Sequence, residues 1–388
     1  MKAQHLLLAA TVAVTADAYT TGNSGARKST FVGRQVTSTA RISVPSLLRM
    51  DSESDVIDPV ARFNLEQRLR ESSTPFRSLE HAEAQHGMPW KSSIDPKVKD
   101  DDLLYMPFWE WQMQFMKDNL TDLRVMPCTN GKRDFAFNEN GQKKARIVNL
   151  CASSKEYHKI RMTYYDAGDN TQVFNSVWYP DPAYNLPVLG IDLLAFNRKK
   201  YLAIVDFQPL HQDENDHSTP FEHLLQPIKE EYDTLKGRMS SKFYDETQFF
   251  SQQMLFARFE DEGVVSQDLF PAFSRYVETH LNLLRSTTPV AADVSNVLAR
   301  QQAYDTYSAE RDPATGLFAA MFGADWAADF VHDFLFSSST RPETFVIPAM
   351  PGAPPPKQGG GGNPFAQGGD PHAGVPTRPF VAVAASQR

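Results

Sequence analysis

Apolar positions along the chain follow two different periods. Between Arg161 and Leu210 they come in short β-branched and aromatic runs cut by DAGDN, PDPAYN and NRKK, which predicts four strands in an antiparallel meander. Two more runs, RDFAFNEN and ARIVNLCAS, flank Asn140-Gly141, a dipeptide suited to a tight hairpin, and SQQMLFARF returns late as a further strand. The sheet is therefore expected to hold about six or seven strands. Elsewhere the spacing is helical: VARFNLEQRLRESS and YMPFWEWQMQFMKDN before the strands, then FEHLLQPIKEEYDTLKGRM, SRYVETHLNLLRS, VSNVLARQQAYDTYSAE and ATGLFAAMFGADWAADFVHDFLF. Helices, a block of strands and helices again predict an α+β chain, a three-layer α/β/α sandwich around a central antiparallel sheet.

The ends of the chain have another character. MKAQHLLLAATVAVTADA has the charge, apolar run and small-residue end of a signal peptide, and the stretch after Tyr19 is rich in Ser, Thr and Arg without an acid, as transit peptides are. Residues 1–50 are thus expected to be a two-part leader addressing a plastid inside extra membranes. Residues 51–104 form a polar extension with one helix, 105–338 the folded domain, and 339–388 a Pro/Gly-rich tail too poor in apolar side chains to build a core.

Charge and cysteine content narrow the function. Residues 51–339 carry 29 Lys and Arg against 44 Asp and Glu, a net −15, which argues against nucleic acid and anionic membrane as partners. Cys128 and Cys151 are the only cysteines, which excludes a disulfide scaffold, a Cys₄ iron–sulfur cluster and a Cys-rich zinc site within the chain. HQDENDH lacks any recognised ligand spacing, so no metal site is expected, and the late GGGG run neither follows a strand nor opens a helix.

Within the meander one residue breaks the pattern. Asp192 stands among Val188, Leu189, Ile191, Leu193, Leu194 and Phe196, where an ionised carboxylate costs several kcal/mol unless paired and so tends to keep its proton. That makes it a candidate proton donor, although a strand Asp can also lie at a sheet edge or accept backbone N–H groups. Arg161 and Arg258 are cations in otherwise apolar strands, able to grip a carboxylate bidentately or to pair with an acid of the chain. Asp312 precedes Pro313 at the start of a helical run, which reads as a helix cap and favours the carboxylate form.

DAGDNTQVFNSVWYPD, LPVLGIDLL, VDFQPL and YDTYSAERDPATGLFAAMFGADW together resemble the ferredoxin-dependent bilin reductases, in that family's order and over roughly residues 105–337. The resemblance implies the same sandwich, with a bilin between the sheet and the C-terminal helices. It further implies reduction of biliverdin IXα to 15,16-dihydrobiliverdin on the way to phycoerythrobilin, with no bound cofactor and with electrons from reduced [2Fe–2S] ferredoxin. Nothing in the sequence suggests a flavin, nicotinamide or haem site, which fits an external donor. Asp192 and, by resemblance alone, Asp312 are then the first and second proton donors. Arg258 and Arg161 become candidates for the bilin propionates, with Asn149 and Asn175 as further pocket candidates. An acidic ferredoxin needs a local basic patch, for which Lys143, Lys144, Arg146, Lys155, Lys159 and the Arg198-Lys199-Lys200 turn are the densest supply. The expected partners are biliverdin, ferredoxin and the next bilin reductase, with the chain itself a monomer. A reductase forming phycoerythrobilin from dihydrobiliverdin, and a bilin-binding chaperone without redox activity, remain open alternatives.

Overall fold

The computed structural model describes residues 58–85, 93–94, 103–210, 215–239, 245 and 247–342. The expected leader, most of HQDENDH and the tail beyond 342 lie outside them. In chain order the elements are α1 (Pro59–Ser72), β1 (Thr74–Pro75), α2 (Leu79–Gln85), α3 (Met106–Asn119), β2 (Arg124–Met126), β3 (Phe137–Asn140), β4 (Ala145–Ser153), β5 (Tyr157–Asp166), β6 (Thr171–Pro180), β7 (Val188–Phe196), β8 (Lys200–Gln208), α4 (Asn215–Glu231), β9 (Leu255–Phe259), α5 (Phe270–Ser286), α6 (Val294–Arg311), α7 (Ala314–Phe322) and α8 (Ala324–Asp329). All described residues belong to one compact unit.

The strands pair antiparallel in the order β1-β2-β4-β5-β6-β7-β8-β9, with β3 also on β4. The architecture is the α+β sandwich expected, but the described sheet has nine strands rather than six or seven. All seven strands legible in the pattern are present. The other two, β1 and β2, are two and three residues long. Runs that short carry no period; they exist because β2 finds unpaired backbone along β4 and β1 then finds β2.

Alternation along each strand separates two faces. One face carries Leu150, Met162, Tyr164, Phe174, Trp178, Leu189, Ile191 and Leu193, which join α3, α4 and α5 in a single continuous core. From α3 alone Phe108, Trp109, Met113 and Met116 are buried there, each contributing roughly 1.5–3 kcal/mol. The other face, covered by α6, α7 and α8, packs differently. Its apolar contacts fall into separate clusters: Ile147, Tyr165 and Val173 with Phe318, Trp326 and Phe330; Val177, Tyr179 and Val188 with Val297, Tyr304 and Tyr307; and Ile204 with Met239, Met254 and Phe256. Between these clusters lies polar surface.

The helical run expected over 314–336 is broken at Gly323, whose φ of +98° is a conformation that side chains with a Cβ rarely adopt. After α8 the chain continues through Leu335 in a widened π-helical turn.

Candidate active site

The strand register lays a polar row across the α6–α8 face: Asn149 on β4 pairs with Thr163, Thr163 with Asn175, Asn175 with Asp192, and Asp192 with Ile204 on β8. The next row runs Cys151, Arg161, Val177, Gly190, Asp206. Side chains connect the rows. Arg161 Nη1 donates to Asn175 Oδ1 at 2.5 Å, and Asn175 Nδ2 donates to Asp192 Oδ1 at 3.0 Å. Asn175 thus joins a cation to the carboxyl that stood out in the sequence.

Burial pushes the Asp192 carboxyl up to about 7; the Asn175 N–H and Arg161 pull it down, while the charge of Asp312 pushes it further up. The Asn175 N–H occupies Oδ1, so the proton of the neutral acid rests on Oδ2. Asp312 caps the C-terminus of α6, and its Oδ1 accepts the Ala314 N–H at 2.8 Å at the entry to α7. It therefore does act as a cap. Burial nevertheless raises the Asp312 carboxyl, against the Ala314 N–H and Arg161. Both acids are thus shifted the same way, because one capping N–H does not offset desolvation.

Arg161 is 1% exposed, stacks over the Phe336 ring at 5.1 Å, and its Nε has no hydrogen-bond partner. No ion pair within 4.0 Å joins it to an acid among the described residues. A desolvated guanidinium so lightly engaged suits an anion arriving from outside the chain. Arg258 lies exposed on the edge strand β9 with its guanidinium over Phe256 at 5.3 Å. Alternation turns it to the same face as Asp192. Asn149 does not join them: fully buried, its Nδ2 donates to Phe135 O at 2.6 Å and its Oδ1 accepts from Thr163 Oγ1 at 2.6 Å. Its amide supports the sheet, not a ligand.

The basic residues assemble only in part. The β3–β4 turn with Lys143 and Lys144 and the β7–β8 turn with Arg198, Lys199 and Lys200 lie at the same end of the sheet. Lys143 Nζ donates to Ala320 O, and Arg198 is gripped by Glu262, with Nε to Oε2 at 2.9 Å. Arg198 and Asn197 both hold positive φ, as a tight hairpin requires. Arg146 lies 3.7 Å from the buried Asp166. Lys155 is in the β4–β5 turn at the opposite end of the sheet, and Lys159 is buried, donating to Phe334 O at 3.0 Å and Ser337 Oγ at 2.6 Å. Those two leave the expected patch; Lys199 remains exposed and Lys200 half-exposed.

Sequence reasoning missed two further acids. Asp206, in the VDFQPL stretch, accepts the Ser251 N–H at 2.8 Å, and burial pushes its carboxyl up to about 7. Asp305 on α6 accepts from Tyr179 Oη at 2.7 Å and from the Ser338 N–H at 2.9 Å. The signal for Asp206 was available, since it interrupts an apolar strand as Asp192 does. Surface cavities of about 360 and 390 Å³ open at the end of α7 and along the outer side of α6, and neither is lined by Asp192 or Asp312.

Comparison with known proteins adds to this geometry. The sequence model of a family described as ferredoxin-dependent bilin reductase matches residues 117–337. A 15,16-dihydrobiliverdin:ferredoxin oxidoreductase of Gloeobacter violaceus is 40% identical over 238 residues, covering 61% of this chain and 96% of the relative. The protein of that name from Nostoc punctiforme is 40% identical over 240 residues, with the same shares covered. Among solved structures, phytochromobilin synthase from tomato in complex with biliverdin superposes with a TM-score of 0.54 at 21% identity, covering 60% of this chain and 83% of that one. At that identity the likeness is one of fold.

Proposed function

Because the chain belongs to the ferredoxin-dependent bilin reductases, we propose that it reduces biliverdin IXα at the 15,16 bond to 15,16-dihydrobiliverdin, taking two electrons from two reduced [2Fe–2S] ferredoxins and two protons from Asp192 and Asp312. The names of the cyanobacterial relatives support the regiochemistry. The single observation that carries the mechanism is the run Arg161–Asn175–Asp192. A carboxyl titrating near 7 holds its proton on Oδ2 at neutral pH yet releases it to a more basic partner.

In this reading, one electron converts the bilin to a radical anion, and Asp192 protonates it. The second electron and the proton of Asp312 complete the addition of two hydrogen atoms across one double bond. Arg161 and Arg258 face the propionates. Arg161 also sits beside both acids and steadies each carboxylate once its proton has left. Ferredoxin docks at the sheet end bearing Lys143, Lys144, Lys199 and Lys200. The acid-free leader supports a plastid as the compartment, and the product passes to the reductase that completes phycoerythrobilin.

The test is anaerobic incubation of the chain with biliverdin and a ferredoxin-reducing system, followed by the absorbance and mass of the product. A product two mass units above biliverdin, reduced at the 15,16 bond, is expected. Phycoerythrobilin as the end product, or bilin binding without reduction, would overturn the assignment.

A further inference from the structure

Helix α1 lies outside the matched residues 117–337, yet it completes a partly buried hydrogen-bonded path that ends on α6. The path runs through His158. Between Tyr157 and Lys159 the β5–β6 register shifts, leaving His158 as the extra residue of a bulge, a device that re-aims a side chain. Its ring packs edge-on against Phe63 of α1 at 5.5 Å and lies between two acceptors. Glu66 Oε2 is 3.2 Å from Nδ1, and Gln301 Oε1 on α6 is 3.0 Å from Nε2. Gln301 is held in that sense because its Nε2 donates to Pro180 O at 3.3 Å.

Groups from four elements surround the ring. From α1 come Glu66 and Arg62, the latter 3.6 Å from Glu66; from β5 comes Lys159; from β6 the uncharged Tyr179 ring at 5.8 Å; and from α6 the neutral Gln301. Burial would raise the Glu66 carboxyl, but its bond to His158 and the nearby cations hold it down at about 2. On α6, Gln301 is followed by Tyr304, which donates to Gln208 Oε1, and Asp305, which accepts from Tyr179. With the two bonds of Gln301, these make four polar bonds that tie α6 to the sheet, and α6 ends at Asp312.

We propose that Glu66 is a positioning residue for the second proton donor: by bonding His158 Nδ1 it fixes the ring and with it Gln301, and through α6 it fixes the place of Asp312. The inference rests on the role of Asp312 given above. Nitrogen-resolved NMR of the histidine-labelled full chain, with the signal assigned through His158→Asn, should show a hydrogen-bonded proton on Nδ1 of His158. In Glu66→Gln that hydrogen-bond signature should weaken. Under single turnover that variant should form the bilin radical at the parental rate but the final product roughly tenfold more slowly, the scale of a small misplacement of a reacting group. Glu66→Asp should restore part of the rate. Arg70→Ala, which cuts a separate anchor of α1 on Asp122 at 2.7 Å, should lower Tm and leave the product-forming step unchanged. A His158 Nδ1 without a hydrogen-bonded proton in the parent, a parental second step in Glu66→Gln, or equal slowing in Arg70→Ala would overturn the proposal. Should the parent reduce no bilin at all, the proposed function falls, while the Glu66–His158 bond is still read from the spectra.

Discussion

Asp192 shows how much one side chain depends on its two neighbours. An acid in this strand without Asn175 would be desolvated and unsupported; with Arg161 behind the amide it titrates near neutrality. Asp192→Asn keeps shape and hydrogen-bonding capacity, so it should still bind biliverdin but stall after the first electron. Anaerobic absorbance and EPR should then show a long-lived bilin radical; normal turnover would remove Asp192 from the mechanism. In Asp312→Asn the same measurement should show a late block with incomplete reduction, and a persistent radical in that variant alone would reverse the order of the donors. The first protonation requires the neutral acid, so its rate in the parent should fall as pH rises through about 7. A rate constant flat between pH 6 and 8 would contradict that assignment.

At the scale of elements, Gly190 joins β7, β8 and α6. A Cβ on Gly190 would stand 2.2 Å from Gln208 Oε1, the atom that accepts from Tyr304 of α6. Gly190→Ala should therefore expel Gln208 and destabilise the chain by about 1–3 kcal/mol, as overpacking of a filled site does. Urea unfolding should register this as a lower midpoint at unchanged m-value. No such dependence was visible in LPVLGIDLL. The meander, by contrast, was legible strand by strand, because turn formers punctuate it and period-two runs have one interpretation. β1 and β2 were hidden because their pairing, not their composition, makes them strands. Asp192 was legible as an acid in apolar surroundings, whereas the upward push on Asp312 was not: burial is a property of the assembled helices, and the sequence shows only the cap. Arg258 and Asn175 could be singled out by type. That Asn149 serves Phe135 and Thr163 instead of a ligand required the register.

For the whole molecule, the acidic body and the lysines gathered at one end of the sheet predict a docking step governed by local charge. Raising salt from about 0.05 to 0.5 M should raise KM for ferredoxin, since the screening length shrinks to a few Å. Lys199→Glu with Lys200→Glu should do the same at low salt. Arg198→Ala should act mainly on the turn, because Glu262 already neutralises that guanidinium. A KM indifferent to salt and to the lysine pair would exclude this end as the docking face. The unequal packing of the two sheet faces also bears on how such a chain can change. The α3–α5 side is one uninterrupted core, while the α6–α8 side is a set of islands around polar rows. Substitutions on the second side disturb one island at a time, so a lineage can try new shapes on that face and still inherit a folded scaffold. A library randomised over inward positions of α6 and α7 should thus keep far more soluble members than one over α3 and α5, making the α6–α8 side the place where new bond selectivity can be selected.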